Sequence, residues 1–430
     1  MVGGYRYFRC EVPARHLPGV LEEGAVFDPR RQQGETAVFR SLVRSDVELD
    51  GMREAKRLGI RVVLDVEDNH LAGRDVPEVI EARSGNPFAV FQPTPTRKDV
   101  DRILGEKARL HAEAVEIADE LVTASDAAAA VYRDVHSCVT AVPHAVDPDA
   151  WPPIEKPDDG TFRIGLFVSP SHACDLELVA GPLRWASQQP DVEIVVLGVN
   201  PRSLTWREYR RQQEILRREA PALQRLEPGT IGWGGIEGFE PYAMWWLQQT
   251  RARQASWAFT FRFLPATMDY NAYRCAMLQL DVGLCPLVED PWSRCRADSK
   301  PLEYAMCGVL PICSDAEPYR RWRWPLVAGS QGFVDRLAWC LENRETVREH
   351  GLAWRGAVLK ERSIAGTLDD WRSAVCPLGS TDLAAATEAR PNLDTAHVSV
   401  PTTLSIPTTL SIPAVPPSRR QGREARDSIT

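Results

Sequence analysis

Apolar and polar positions follow two periods along this chain. Short continuous apolar runs suit strands buried on both faces, and segments with apolar residues every three or four positions suit helices. Residues 37–42 predict a short strand. Residues 46–58 predict a helix with Val47, Met52 and Leu58 apolar and Gly59 as its stop. A buried-type strand follows at 61–66 (RVVLDV), then a long helix at 101–121, a helix at 126–132 capped by Ser125, and a strand at 139–142. The alternation then repeats. Strands are predicted at 162–168, 192–199, 259–264, 282–287 and 309–313. Helices are predicted at 176–187, 270–278 and 301–307, with two or three closing helices over 332–371. Strand–helix–strand alternation of this kind means an α/β protein with parallel sheets. The expected fold is two Rossmann-like doubly wound domains, with ligands at the carboxyl ends of the strands.

Composition places the boundaries. All 13 tryptophans fall between Trp151 and Trp371, and a Pro- and Asp-rich passage lies at 143–160. That passage reads as a linker between a first domain (1–142) and a second (161–375). Residues 200–257 interrupt the second unit with a helical, Trp- and Arg-rich excursion. From 200 to 262 there are ten arginines against six acidic residues. This insertion reads as a solvated helical excursion, with a docking surface for an anionic partner as the sharper alternative. Beyond Cys376 no Phe, Tyr or Trp occurs, and Pro-Thr-Thr-Leu-Ser-Ile repeats in tandem at 401–412. Such a stretch cannot bury enough apolar surface to offset its ordering entropy, so 376–430 is expected to be a disordered tail.

The charge balance narrows the function classes. The 430 residues hold 51 basic and 59 acidic side chains, a net charge of −8, which gives no general attraction to nucleic acid or an anionic membrane. Ten cysteines without a C-x-x-C pair or a zinc spacing read as reduced thiols of a cytoplasmic protein. No apolar run approaches the roughly 20 residues that span a bilayer, so no membrane span is expected.

The block 281–315 holds the most chemistry. A buried strand (DVGLCPL) leads to a loop with Arg294, Arg296 and Lys300, and a helix starts near Pro301. Cations beside a helix N-terminus form a cradle for a diphosphate. Glu303, placed in the first helical turn, either complements the helix dipole or accepts hydrogen bonds from the vicinal hydroxyls of a ribose. Gly308 closes the helix.

This string, DVGLCPL…RADSKPLEYAMCGVLPICSD, resembles the donor-binding segment of GT-B fold glycosyltransferases. It is most similar to the retaining, nucleotide-sugar-dependent, glycogen- and sucrose-synthase-like group. It is closer still to phage-type glycosyltransferase-like proteins with a Ser-Asp-x-Lys-x-x-Glu-Tyr block. VVLDVEDN at 62–69, ELVTAS at 120–125, VPHAVD at 142–147 and IGLFVSPSH at 164–172 resemble other passages of that group in the same order. The resemblance implies that Glu303 binds the donor ribose and that Lys300, with Arg294 or Arg296, neutralises the diphosphate. It implies that Ser169, Ser171 and His172 line the same pocket, with Gly308 in the donor segment, and that Asp68 and His70 face the cleft from the first domain. The partners implied are a nucleotide-sugar and an acceptor that is a protein, glycan, lipid or modified base. The acidic balance argues against nucleic acid.

No metal or other cofactor is required by that scheme, because positioning and charge stabilisation of the leaving diphosphate suffice. A metal role for Asp65 and Asp68 is the weaker alternative to strand-end turn and capping. Two departures from the pattern stand out. Cys295 occupies a position where the wider family often has Glu, and His144-Ala145 stands in place of Asn-Gly. The expected function is therefore sugar transfer with retention. A catalytically inactive nucleotide- or sugar-binding relative is the alternative, and a nucleotide-sugar epimerase a third option.

Overall fold

The computed structural model describes residues 7–17, 36–40, 46–71, 108–151, 154, 156–157, 159–168, 175–198, 257–265 and 270–376. The expected excursion at 200–257 falls outside them except for Trp257, and the expected tail at 376–430 except for Cys376.

Four parallel strands form the first sheet: β1 (Thr36–Arg40), β2 (Arg61–Val66), β3 (Glu120–Thr123) and β4 (Val139–Ala141), in the order β1-β2-β3-β4. The helices that follow a short N-terminal helix, α1 (Val12–His16), are α2 (Asp46–Arg57), α3 (residues 108–117) and α4 (Asp126–Arg133). β2 is buried on both faces from Val62 to Val66, with Asp65 the one charged residue among them, paired with Arg9. Val62, Leu64 and Val66 pack with Leu49 and Met52 of α2 and with Leu110 and Ala114 of α3. Val63 and Val122 point the other way, into a core shared with Tyr7, Phe8, Val12, Trp371 and Ala374.

The expected helix at 101–121 ends sooner than its spacing suggests. Glu120 and Leu121 are taken by β3, where Leu121 pairs with Leu64. Asp119 makes the turn: its N–H donates to the Val62 carbonyl at 2.7 Å and its carboxylate accepts from the Val62 N–H at 2.8 Å.

The second sheet has six parallel strands: β5 (Phe162–Val168), β6 (Val192–Gly198), β7 (Arg262–Pro265), β8 (Val282–Cys285), β9 (Leu310–Ser314) and β10 (Leu326–Val327). Their order is β10-β9-β8-β5-β6-β7. Strand order reverses between β5 and β8, which is the doubly wound arrangement whose crevice at the switch point takes ligands. α5 (Leu176–Ala186), α6 (Tyr270–Leu278), α7 (Ser299–Met306) and α8 (Glu317–Arg320) connect these strands. α7 lies close on the sheet because Gly283 of β8 leaves room for the Tyr304 ring. A Cβ at Gly283 would stand 2.4 Å from that ring. At the far end of α7, Gly308 has φ +63°, and its carbonyl lies where a Cβ on Gly351 would be 2.2 Å away.

The chain closes with α9 (Gly329–Glu342), α10 (Arg344–Glu361) and α11 (Leu368–Val375). α11 returns to the first sheet: Arg61 donates to the Ala374 carbonyl at 2.6 Å, and Trp371 lies under the Arg9 guanidinium at 4.6 Å. Val146, in the passage expected as linker, exchanges backbone hydrogen bonds of 2.8 Å with Arg362 and Ile364. Arg362 also forks onto the buried Asp298 carboxylate at 2.8 and 2.9 Å and donates to the His144 carbonyl at 3.0 Å. Among the described residues, no helix is long and apolar enough to cross a membrane.

Candidate functional site

β5 and β8 end side by side at the carboxyl edge of the second sheet, and the loop 286–298 leaves from β8 there. Contacts from both sheets pin this loop. Asp175, at the start of α5, accepts from the Val288 N–H at 2.7 Å. Ser125 caps α4 by accepting from the Ala128 N–H at 3.2 Å, and its hydroxyl donates to the Cys295 carbonyl at 2.8 Å. Asn69 donates to the Pro291 carbonyl at 3.2 Å. The loop is thereby fixed against the end of β2, and Arg296 sits between the two sheets.

Arg296 stacks on Trp292 at 4.4 Å, and its Nε stands 3.7 Å from the Asp68 carboxylate. Its Nη1 is buried and has no hydrogen-bond partner. An orphaned guanidinium donor is costly unless an acceptor arrives. Burial pushes the Asp68 carboxyl up, with Arg296 opposing, and burial with the Asp68 charge pushes its neighbour Glu67 up to about 8.

Lys300 and Glu303 lie on α7. The Lys300 ammonium sits over the Phe167 ring at 5.1 Å. Burial and the Arg296 charge bring it down to about 8, with Asp175 opposing. Asp175 is itself pushed up to about 6 by burial. Glu303 is 5% exposed and stands in the second turn of α7, a correction to its expected place in the first. Its two oxygens accept from the hydroxyls of Tyr270 at 2.9 Å and Tyr273 at 3.0 Å. Burial pushes the carboxyl up to about 7 despite those two donors.

The structure therefore brings Lys300, Glu303, Arg296 and Asp68 to one region. It does not bring in every expected residue. Arg294 is 59% exposed and pairs with Glu289 at 3.1 Å on the surface. Gly308 is at the opposite end of α7 from Lys300, packed against Ile154 and Gly351. The His70 ring packs edge-on against His111 at 5.1 Å, and the His70 backbone N–H donates to the Tyr132 hydroxyl at 3.2 Å. Ser169, Ser171 and His172 lie outside the described residues. Asp65 is turned to the other face of β2 and held by Arg9, away from Asp68. Among the described residues, no group of three or more His, Cys, Asp or Glu is placed to hold a metal ion.

Sequence reasoning missed Asp175, Tyr270 and Tyr273. Asp175 carried one signal, an acidic residue directly before the helix that follows the first strand of the second domain. The tyrosines carried none beyond their i, i+3 spacing on one face of α6.

No protein-family model matches the chain, and no curated protein matches it. Solved structures do. The chain is similar to Anabaena HepE in complex with UDP and glucose, with 12% identity over 79% of this chain and 98% of that one, at a TM-score of 0.41. It is similar to a UDP-forming alpha,alpha-trehalose-phosphate synthase from Burkholderia xenovorans, with 14% identity over 79% and 73% and a TM-score of 0.46. It is also similar to S. aureus TarM, with 9% identity over 79% and 54% and a TM-score of 0.42. At these scores the likeness does not decide a function, which has to come from the residues of the site.

Proposed function

We propose that the protein is a GT-B-type glycosyltransferase that moves a sugar from a nucleoside-diphosphate donor to an acceptor, with retention and without a metal. The observation behind this reading is the cation pair Lys300 and Arg296 at the switch point between β5 and β8, with a buried Arg296 Nη1 that lacks an acceptor. A diphosphate supplies that acceptor and offsets the mutual repulsion of the two cations. In this reading Glu303, one turn along α7, accepts from ribose hydroxyls with the lone pairs its tyrosine partners leave.

In the reaction, the bond between the anomeric carbon and the phosphate oxygen breaks, and the nucleoside diphosphate leaves with the electron pair. The acceptor oxygen bonds to the anomeric carbon on the same face, and its proton passes to the departing phosphate oxygen. Lys300 and Arg296 stabilise the negative charge that grows on the leaving group, so their effect is largest in the transition state.

A second reading, an inactive nucleotide- or sugar-binding relative, is favoured by Cys295. Its thiol is buried, lies 3.7 Å from the Pro291 carbonyl, and offers no carboxylate to a sugar.

The test is a thermal shift of the wild type and Glu303→Gln with UDP, GDP, ADP and TDP, with and without Mg²⁺. A nucleotide at 100 times its dissociation constant stabilises by about 2.7 kcal/mol. One nucleotide shifting the wild type, and the variant less, is the expected result. A flat response to all four would sink the proposal. Nucleotide binding with no loss of the activated sugar would favour the inactive relative.

A further inference from the structure

Tyr270 reaches Glu303 with its hydroxyl, and its ring borders a second hollow. A cavity of about 490 Å³ opens between the N-terminal helical segment, the passage joining the two sheets, and α6. That volume is in the range of small-molecule sites. Tyr7 and Tyr270, stacked with centroids 4.7 Å apart, form its aromatic wall. Arg15 and Asn271 bring hydrogen-bond donors to it, Arg274 brings positive charge, and Glu11 and Asp149 bring carboxylates. Arg274 is 9% exposed. Its terminal nitrogens are taken by the Ala150 carbonyl and the Asn271 side chain, and its Nε is buried without a hydrogen-bond partner.

This mixture of groups selects a ligand class. A simple anion would meet Glu11 and Asp149, and a simple cation would meet Arg15 and Arg274. A neutral ring with many hydroxyls satisfies both sets, because each hydroxyl donates one hydrogen bond and accepts two. The partly buried Tyr270 ring borders the hollow, and Tyr7, 2% exposed, backs it. We propose that this cavity is a binding site for a neutral saccharide, adjoining the Lys300–Glu303 cluster with Tyr270 common to both.

The test uses glucose, N-acetylglucosamine and maltose as probes, with glycerol and citrate as controls, read by saturation-transfer NMR. Tryptophan emission gives a second readout, because the Trp151 indole donates to the Tyr7 hydroxyl at 2.8 Å beside the cavity. The expected result is saturable binding of at least one sugar, weakened about tenfold in Asn271→Ala and in Glu11→Gln. The nucleotide-induced thermal shift should be unchanged in both. Glu11→Gln keeps the side chain's shape, so the test stays readable if the alanine variant fails to fold. Tyr270→Phe keeps the ring and removes only the hydroxyl, so it should retain the sugar and weaken the nucleotide. Silence from all three sugars, equal binding by both variants, or a response to citrate alone would overturn the proposal. The sugar measurement needs no nucleotide, so it fails or succeeds independently of the transferase reading.

Discussion

Glu303→Gln should make the protein more stable at pH 8 while weakening its nucleotide. In the folded chain, burial holds the Glu303 carboxyl at about 7, against an ordinary 4.5. The folded protein therefore keeps a proton over a range in which the unfolded chain has lost it. Stability falls as the pH rises from about 4.5 to about 7, and the whole penalty is present above that. The gap corresponds to about 3 kcal/mol. Glutamine is neutral throughout and avoids the penalty. Its amide oxygen still accepts from one tyrosine hydroxyl, and its amide nitrogen donates to the other, so the contacts with Tyr270 and Tyr273 survive. Urea unfolding of both proteins at pH 5 and pH 8 reads the effect, because titrating groups that do not feel Glu303 cancel in the difference. The variant should gain up to about 3 kcal/mol relative to wild type between the two pH values. Binding should move the other way, by about tenfold or more, because a charged acceptor is lost. Parallel pH profiles for the two proteins would refute the reasoning, since Glu303 would then not be held protonated by burial.

Other expectations follow from neighbouring contacts. Arg362→Met leaves Asp298 buried without its guanidinium and should cost about 3–5 kcal/mol in denaturant unfolding, whereas an unchanged midpoint would deny the clamp any role in stability. Gly283→Ala forces a methyl group into the Tyr304 ring and should cost about 1–3 kcal/mol, with weaker nucleotide binding because α7 must lift. Ser125→Ala removes both a helix cap and the bond to the Cys295 carbonyl, and should lower stability by about 1–2 kcal/mol in a thermal melt.

Local pattern was a good guide where a residue's fate depends on near neighbours. The runs at 61–66 and 162–168 match β2 and β5, because a strand covered on both faces is mostly apolar, Asp65 and Arg163 being the charged exceptions. Ser125 caps α4 as its position requires. Pattern failed where pairing across the sheet decides. Glu120 and Leu121 continue a helical spacing, yet the ladder with β2 takes them. The strand expected at 259–264 is shifted to Arg262–Pro265, the segment that pairs with Val195–Gly198 of β6. The site shows the same division. Lys300 and Glu303 stand close together in the sequence because one short helix, α7, carries both. Asp175 and the two tyrosines were not legible in this way, because the sheet's switch point and the packing of α6 bring them in from distant stretches of chain.

The return of α11 to the first sheet has a consequence for biosynthesis. Val63 and Val122 sit in a core completed by Trp371 and Ala374. A ribosome finishes β4 roughly 230 residues before it finishes α11. At about 5–20 residues per second, the first sheet waits on the order of 10–50 s with that apolar face incompletely covered. Exposed apolar surface of this kind makes a nascent chain prone to aggregate during that interval. Premature termination anywhere before α11 yields a sheet that is sticky on one side rather than an independent domain.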